Sequence, residues 1–144
     1  MTSISKTALI PFSAEKMYNL VADVDNYQYF LPWCSGSKIL ERTEDEITGQ
    51  VDIQHLGLNK TFTTRNQMHK NELIEMCLVD GPFKQLNGFW RFNALDENAC
   101  KISLDLEFEF SNKIMSMAFG PVFSQIANSM VDAFCQRAMD LYGK

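Results

Sequence analysis

Two histidines, His55 and His69, and four cysteines, Cys34, Cys77, Cys100 and Cys135, are the side chains best suited to metal binding or nucleophilic attack. Their spacing serves neither. A structural zinc site needs ligand pairs a few residues apart, and no Cys-x-x-Cys or His-x-x-x-His pair occurs. Cys34 has no adjoining His or Lys to act as its base. There is no nucleophile elbow, no phosphate-binding glycine loop and no two-histidine, one-carboxylate set. The carboxylates Asp105 and Glu107 share a strand face, but it is the polar one. These absences predict a protein that binds rather than catalyses, with no metal and no obligatory cofactor. They also predict four reduced, mostly buried thiols.

Composition sets the scale. The chain has 144 residues, 46% hydrophobic and 12% aromatic, with 11 Phe and 8 Met. That length predicts one domain over residues 1–144, and the aromatic content predicts a large core or a lined cavity. Thirteen Lys and Arg against 18 Asp and Glu give a net charge of −5, which argues against DNA as a partner. No apolar run approaches the roughly 20 residues of a membrane span. The start Met1-Thr-Ser-Ile-Ser-Lys6 lacks the basic and apolar stretches of a signal peptide, so a cytoplasmic location is expected.

The elements follow from periodicity. Ile4 to Ile10 alternates as a strand ending at Pro11, and Ser13 is an N-cap for a helix through Val21. Asp25 to Leu31 reads as a second short helix stopped by Pro32. A long β region follows, with Ile47, Val51 and Ile53 on one face opposite Thr48, Gln50 and Asp52. Leu73 to Val79 reads as a strand buried on both sides, and Asp80-Gly81-Pro82 as a turn. Leu86, Trp90 and Phe92 then share a face. From Lys101 to Phe110 the alternation is strict, as in an antiparallel strand with one face in water. From about Asn112 to Tyr142 the period becomes helical, with Met115, Phe119, Val122, Phe123, Ile126, Met130, Phe134 and Leu141 on one stripe. A kink or break is expected at Gly120-Pro121. Helices segregated from strands predict an α+β fold, a curved antiparallel sheet gripping the last helix with an apolar gap between them.

Several motifs carry a family resemblance. They are the start Ile4 to Glu15 with Met17-Tyr18, Phe30-Leu-Pro-Trp-Cys34, Lys60-Thr-Phe-Thr-Thr-Arg-Asn66, Val79-Asp-Gly-Pro-Phe83 and Gly88-Phe-Trp-Arg-Phe92. In this order they resemble the bacterial ribosome association toxin and coenzyme Q-binding protein family, of the START-like, polyketide cyclase/dehydrase superfamily. The resemblance spans essentially the whole chain. It implies a helix-grip fold and two functions. One is binding of an isoprenoid quinone such as ubiquinone, or of a lipid, in support of respiration, with a location peripheral to the inner membrane. The other is binding of the large ribosomal subunit to block its joining with the small one. A cyclase/dehydratase-like activity, with Glu, Arg or Tyr doing acid–base work in the cavity, is a third.

Against that background, candidate ligand contacts fall in three places. Phe30, Pro32 and Trp33 form either one lip of the cavity or a staple that ends the short helix. Phe83 either gates the opposite end of the cavity from its turn or belongs to the core, and Leu86 and Trp90 follow it on the inward face. On the last helix the candidates are Met115, Phe119, Phe123, Met130 and Phe134, with Met117 nearby; flexible thioethers suit a long apolar ligand. For the ribosome, the acid-free segments 53–71 and 81–95 hold Lys60, Arg65, Lys84 and Arg91. These are either contacts to rRNA phosphates or ordinary solvated strand faces.

Overall fold

The computed structural model describes residues 2–143. Strand β1 (Thr2–Ile10) leads into helix α1 (Ala14–Ala22) and a 3-10 helix (Val24–Tyr29). Six strands follow without interruption: β2 (Cys34–Arg42), β3 (Glu46–His55), β4 (Leu58–His69), β5 (Leu73–Asp80), β6 (Phe83–Asp96) and β7 (Ala99–Phe110). Helix α2 (Lys113–Tyr142) closes the chain. All seven strands form one antiparallel sheet in the order β1-β7-β6-β5-β4-β3-β2. β1 and β2 are neighbours in sequence and opposite edges of the sheet, so α1 and the 3-10 helix carry the chain across it.

Local chemistry starts and stops these elements. Ser13 Oγ accepts from the Lys16 amide at 3.1 Å, and Asn112 Oδ1 from the Met115 amide at 2.8 Å, each capping a helix whose first amides have no internal partner. The β3–β4 hairpin turns through Leu56 (φ 50°) and Gly57 (φ 83°). Positive φ at both central residues matches the right-handed twist of the flanking strands. The core lies between the curved sheet and α2. Cys100, Ile102, Leu104, Leu106, Phe108 and Phe110 of β7 meet Phe119, Phe123, Ile126 and Phe134 of α2 there, all buried. This is the helix-grip arrangement that the order of elements and the family motifs implied.

Two elements depart from the sequence reading. First, α2 is helical from Lys113 to Tyr142 with Pro121 inside it, so the chain does not break at Gly120-Pro121. Proline removes one donor, and the carbonyl it orphans, on Met117, lies on a turn open to water. Leu141, placed on the buried stripe by its spacing, is exposed. Second, β5 is covered on one side only: Ile74 is buried, whereas Cys77 and Val79 face outward and are exposed. Among the described residues, one layer, α1 with α2, packs on this sheet, and no element covers its outer face. The short helix expected over residues 25–31 is present as the 3-10 helix, which ends at Tyr29, before Phe30 and Pro32. β2 has no clean alternation because its pairing with β3 shifts register twice, between Cys34 and Gly36 and between Ile39 and Glu41. Each shift switches the buried parity, which hides a strand from period-two reading. Among the described residues, no helix is long and apolar enough to cross a membrane.

Candidate functional site

A curved sheet and a straight helix part company at the middle, and a cavity of about 90 Å³ remains between them. Phe123, Ile126, Ala127 and Met130 of α2 form its roof. Their spacing of three, one and three residues puts them on one helix face. The floor is the inward parity of the sheet, including Gly49, Val51 and Ile53 of β3, Phe62, Thr64 and Asn66 of β4, and Leu86 and Trp90 of β6. Val24, Tyr27 and Trp33 close the β2 side.

Aromatic rings wall off both flanks. Beside the β5–β6 turn, Phe83 lies with its ring centroid 4.9 Å from Phe123 and 5.1 Å from Phe110, and Phe62 lies 6.0 Å from Phe83. On the other flank Phe134 touches Tyr27, Phe30 and Trp90 at 5.3, 5.4 and 5.3 Å. Most of these contacts are edge-to-face, the geometry the ring quadrupoles favour.

Few polar groups enter. The Tyr27 hydroxyl donates to the Val21 carbonyl, and burial, then the nearby Asp23 and Cys34, push its pKa far above the usual value. Tyr27 is therefore a neutral, internally satisfied phenol rather than a general base. Thr64 Oγ1 donates to Asn66 Oδ1 at 2.9 Å, and both side chains are buried. Burial raises the Cys34, Cys100 and Cys135 thiols above their ordinary range, which disfavours the thiolate that nucleophilic attack requires. All four cysteines are free; Cys34 and Cys100 are buried, Cys135 is half-buried and Cys77 is exposed. Among the described residues, no three His, Cys, Asp or Glu side chains gather in a way that could hold a metal.

Of the sequence candidates, Trp33, Leu86, Trp90, Phe123 and Met130 border the cavity. The others do not. Phe83 and Phe119 are packed in the aromatic cluster, and Phe134 is enclosed behind Trp90. Phe30 is half-buried against Phe134, with the Arg137 guanidinium 5.0 Å above its ring, and Leu31 is buried. These two staple the end of the 3-10 helix, while Pro32 points to solvent. Met115 is half-buried at the core margin, and Met117 is 72% exposed. Phe83 also does not lie at the opposite end from Trp33. The Gln54 amide donates to the Trp33 carbonyl at 2.8 Å where β3 finishes, and β6 begins at that same end of the sheet.

The polar residues Thr64 and Asn66 went unnoticed as site residues. The signal was available: they share the parity of Phe62 inside the Lys60–Asn66 motif and of Met68 just after it. Tyr27, Val24 and the β3 residues carried no comparable signal, because the sheet's curvature selects them.

The cations are placed less freely than the sequence suggested. Arg65 Nε is 3.3 Å from Glu46, Lys84 Nζ is 4.0 Å from Glu109, and Arg91 Nε is 3.9 Å from Asp105. The segments are acid-free along the chain, but antiparallel pairing sets acids from neighbouring strands beside them. Lys60, opposite Ile53, is half-buried.

Comparison with known proteins agrees with this architecture. The chain is 54% identical over 142 residues to the ribosome association toxin RatA of Escherichia coli K12, covering 99% of this chain and 90% of that one. It is 27% identical over 144 residues to the mitochondrial coenzyme Q-binding protein COQ10 homolog B of Xenopus laevis, covering 97% of this chain and 59% of that protein. The crystal structure of the Zhui aromatase/cyclase from Streptomyces sp. R1128 superposes with a TM-score of 0.82 at 17% identity, over 95% of this chain and 93% of that one, which speaks to the fold alone. Residues 10–135 match the family model for polyketide cyclase/dehydrase and lipid transport proteins, and the chain belongs to that family.

Proposed function

We propose that this protein is a non-enzymatic carrier that takes a neutral apolar molecule, an isoprenoid quinone or a similar lipid, between its sheet and α2. The observation that carries this reading is the apolar cavity under the Phe123–Met130 face of α2. A void lined by hydrocarbon forfeits packing contacts, and a ligand would restore them. The name of the Xenopus relative supports the same ligand class. At about 90 Å³ the cavity is smaller than the roughly 150 Å³ void that holds a benzene ring in another protein. A quinone ring therefore enters only if the cavity widens, and the unbranched thioethers of Met76 and Met130 are the wall elements that move most easily. Mass spectrometry of solvent extracts from the purified protein, with a quinone-uptake assay, tests the reading. A co-purifying quinone or lipid, or saturable uptake, is expected. Neither one would leave the cavity as a packing defect.

A second reading is association with the large ribosomal subunit. The name of the 54% identical Escherichia coli relative favours it. Lys60, Arg65, Lys84 and Arg91 are its proposed phosphate contacts. Sedimentation of purified subunits with the protein tests it: co-migration with large subunits that weakens steeply as salt rises is expected. Absence of co-migration at low salt would remove this reading and leave the carrier function untouched.

A further inference from the structure

We infer that Asn66, its side-chain amide held by Thr64, is the group that recognises a neutral carbonyl oxygen on the ligand of the cavity. The inference rests on the ligand binding proposed above and adds the chemical class of the ligand.

The inward positions of β4 run Phe62, Thr64, Asn66 and Met68, so two polar residues interrupt an apolar wall. Both are 8% exposed, and both border the cavity. Such burial is unfavourable unless hydrogen bonds compensate it. Thr64 Oγ1 supplies one by donating to Asn66 Oδ1 at 2.9 Å. The amide oxygen is thereby used, and the donor that remains is Nδ2–H. Among the described residues, no hydrogen bond takes it up. Gly49 pairs with Thr64 across β3 and adds no side chain there, so the polar pair keeps its access to the cavity.

The rest of the lining sets what the acceptor can be. Among the described residues, no Asp, Glu, Lys, Arg or His borders the cavity. The only other hydroxyl of note, on Tyr27, is committed to Val21 and stays neutral. A carboxylate or phosphate would lose its hydration with no cation to replace it, which is prohibitive. A ketone, quinone or ester oxygen loses far less and gains the Asn66 donor. The site therefore selects an uncharged, largely hydrocarbon molecule bearing a carbonyl acceptor, and rejects fatty-acid carboxylates and phospholipid headgroups from its interior.

The test uses 2-nonanone, nonane and nonanoate at neutral pH, read by the fluorescence of Trp33 and Trp90, the two tryptophans of the chain, which both border the cavity. Asn66→Leu should weaken 2-nonanone by about five- to tenfold while leaving nonane equal or tighter. Nonanoate should not bind detectably. Thr64→Val preserves shape and frees the amide to rotate, so 2-nonanone should weaken by about two- to threefold. This variant decides the matter if Asn66→Leu fails to fold. An equal change for ketone and alkane, no change for the ketone in the folded variants, or nonanoate binding as tightly as 2-nonanone overturns the inference while leaving the carrier function standing. Failure of the wild type to bind either neutral probe overturns both.

Discussion

Arg65 Nε lies 3.3 Å from Glu46 Oε1, a diagonal pair on the outward face of β3 and β4. The pair is partly exposed, so it contributes little to stability, about 0–1 kcal/mol. Its consequence is electrostatic. A guanidinium already facing a carboxylate has less attraction left for a phosphate. Glu46→Gln should therefore strengthen binding to large ribosomal subunits if Arg65 is a contact, and steepen the salt dependence by about one unit. Arg65→Glu should weaken it. Gradient sedimentation over a salt series measures both, and identical slopes for all three proteins would remove Arg65 from the interface.

Tyr27 predicts an alkaline limit to stability. Burial raises its folded-state pKa above the unfolded value near 10. The folded form then binds more protons than the unfolded form once pH exceeds that value. Its contribution is fully present below about pH 10 and is lost as pH rises above it. Tyr18, also raised by burial, adds to the same trend. Tyr27→Phe should cost about 1 kcal/mol at neutral pH, since the Val21 carbonyl loses its donor. Urea midpoints across the alkaline range should fall more shallowly for this variant than for the wild type; parallel curves would contradict the assignment.

Pro121 sits inside α2 on an exposed face, so its ring contributes no core packing. Pro121→Ala restores an amide donor to the Met117 carbonyl. A stabilisation of about 1–3 kcal/mol is expected, the interior penalty of proline less the entropy it removes from the unfolded chain. A higher denaturant midpoint with unchanged slope is the result to look for.

Gly81 has φ 152°, and a Cβ built there would lie 2.7 Å from Phe62 Cβ and 3.3 Å from its Cα. The nearer atoms belong to the backbone and stem of Phe62, which cannot swing aside. Gly81→Ala should thus destabilise by about 1–3 kcal/mol and disturb the Phe62–Phe83 contact at the cavity wall. Thermal melts measure the first effect, and the probe affinities described above the second. An unchanged melting temperature would show that the turn relaxes without cost.

The sequence by itself determined the elements and their order wherever side chains repeat with a single period. Ile102 to Phe110 alternates because one face of β7 meets α2 and the other meets water, and burial reproduces the alternation at nearly every position. Phe119, Phe123, Ile126 and Phe134 follow the helical period for the same reason. The order of elements implied a curved sheet gripping the last helix, and the family motifs implied the same fold. Where the periodicity is interrupted, reading failed: the double register shift of β2 erased its pattern, and Pro121 suggested a break that an exposed carbonyl made unnecessary.

The site was decided by the tertiary structure. Phe119 and Phe134 lie on the same helical stripe as the lining residues Phe123 and Met130, and the register shift between Phe83 and Gln85 brings Phe83 inward as well, yet all three pack into the flanking aromatic walls. Which inward side chains border the void depends on where the sheet bends away from α2, a property of seven strands together that no local window contains. The same holds for charge. Arg65, Lys84 and Arg91 lie in acid-free segments of the sequence, but strand pairing places Glu46, Glu109 and Asp105 beside them. Hydrogen bonding between strands sets those neighbours, and only the folded sheet forms it.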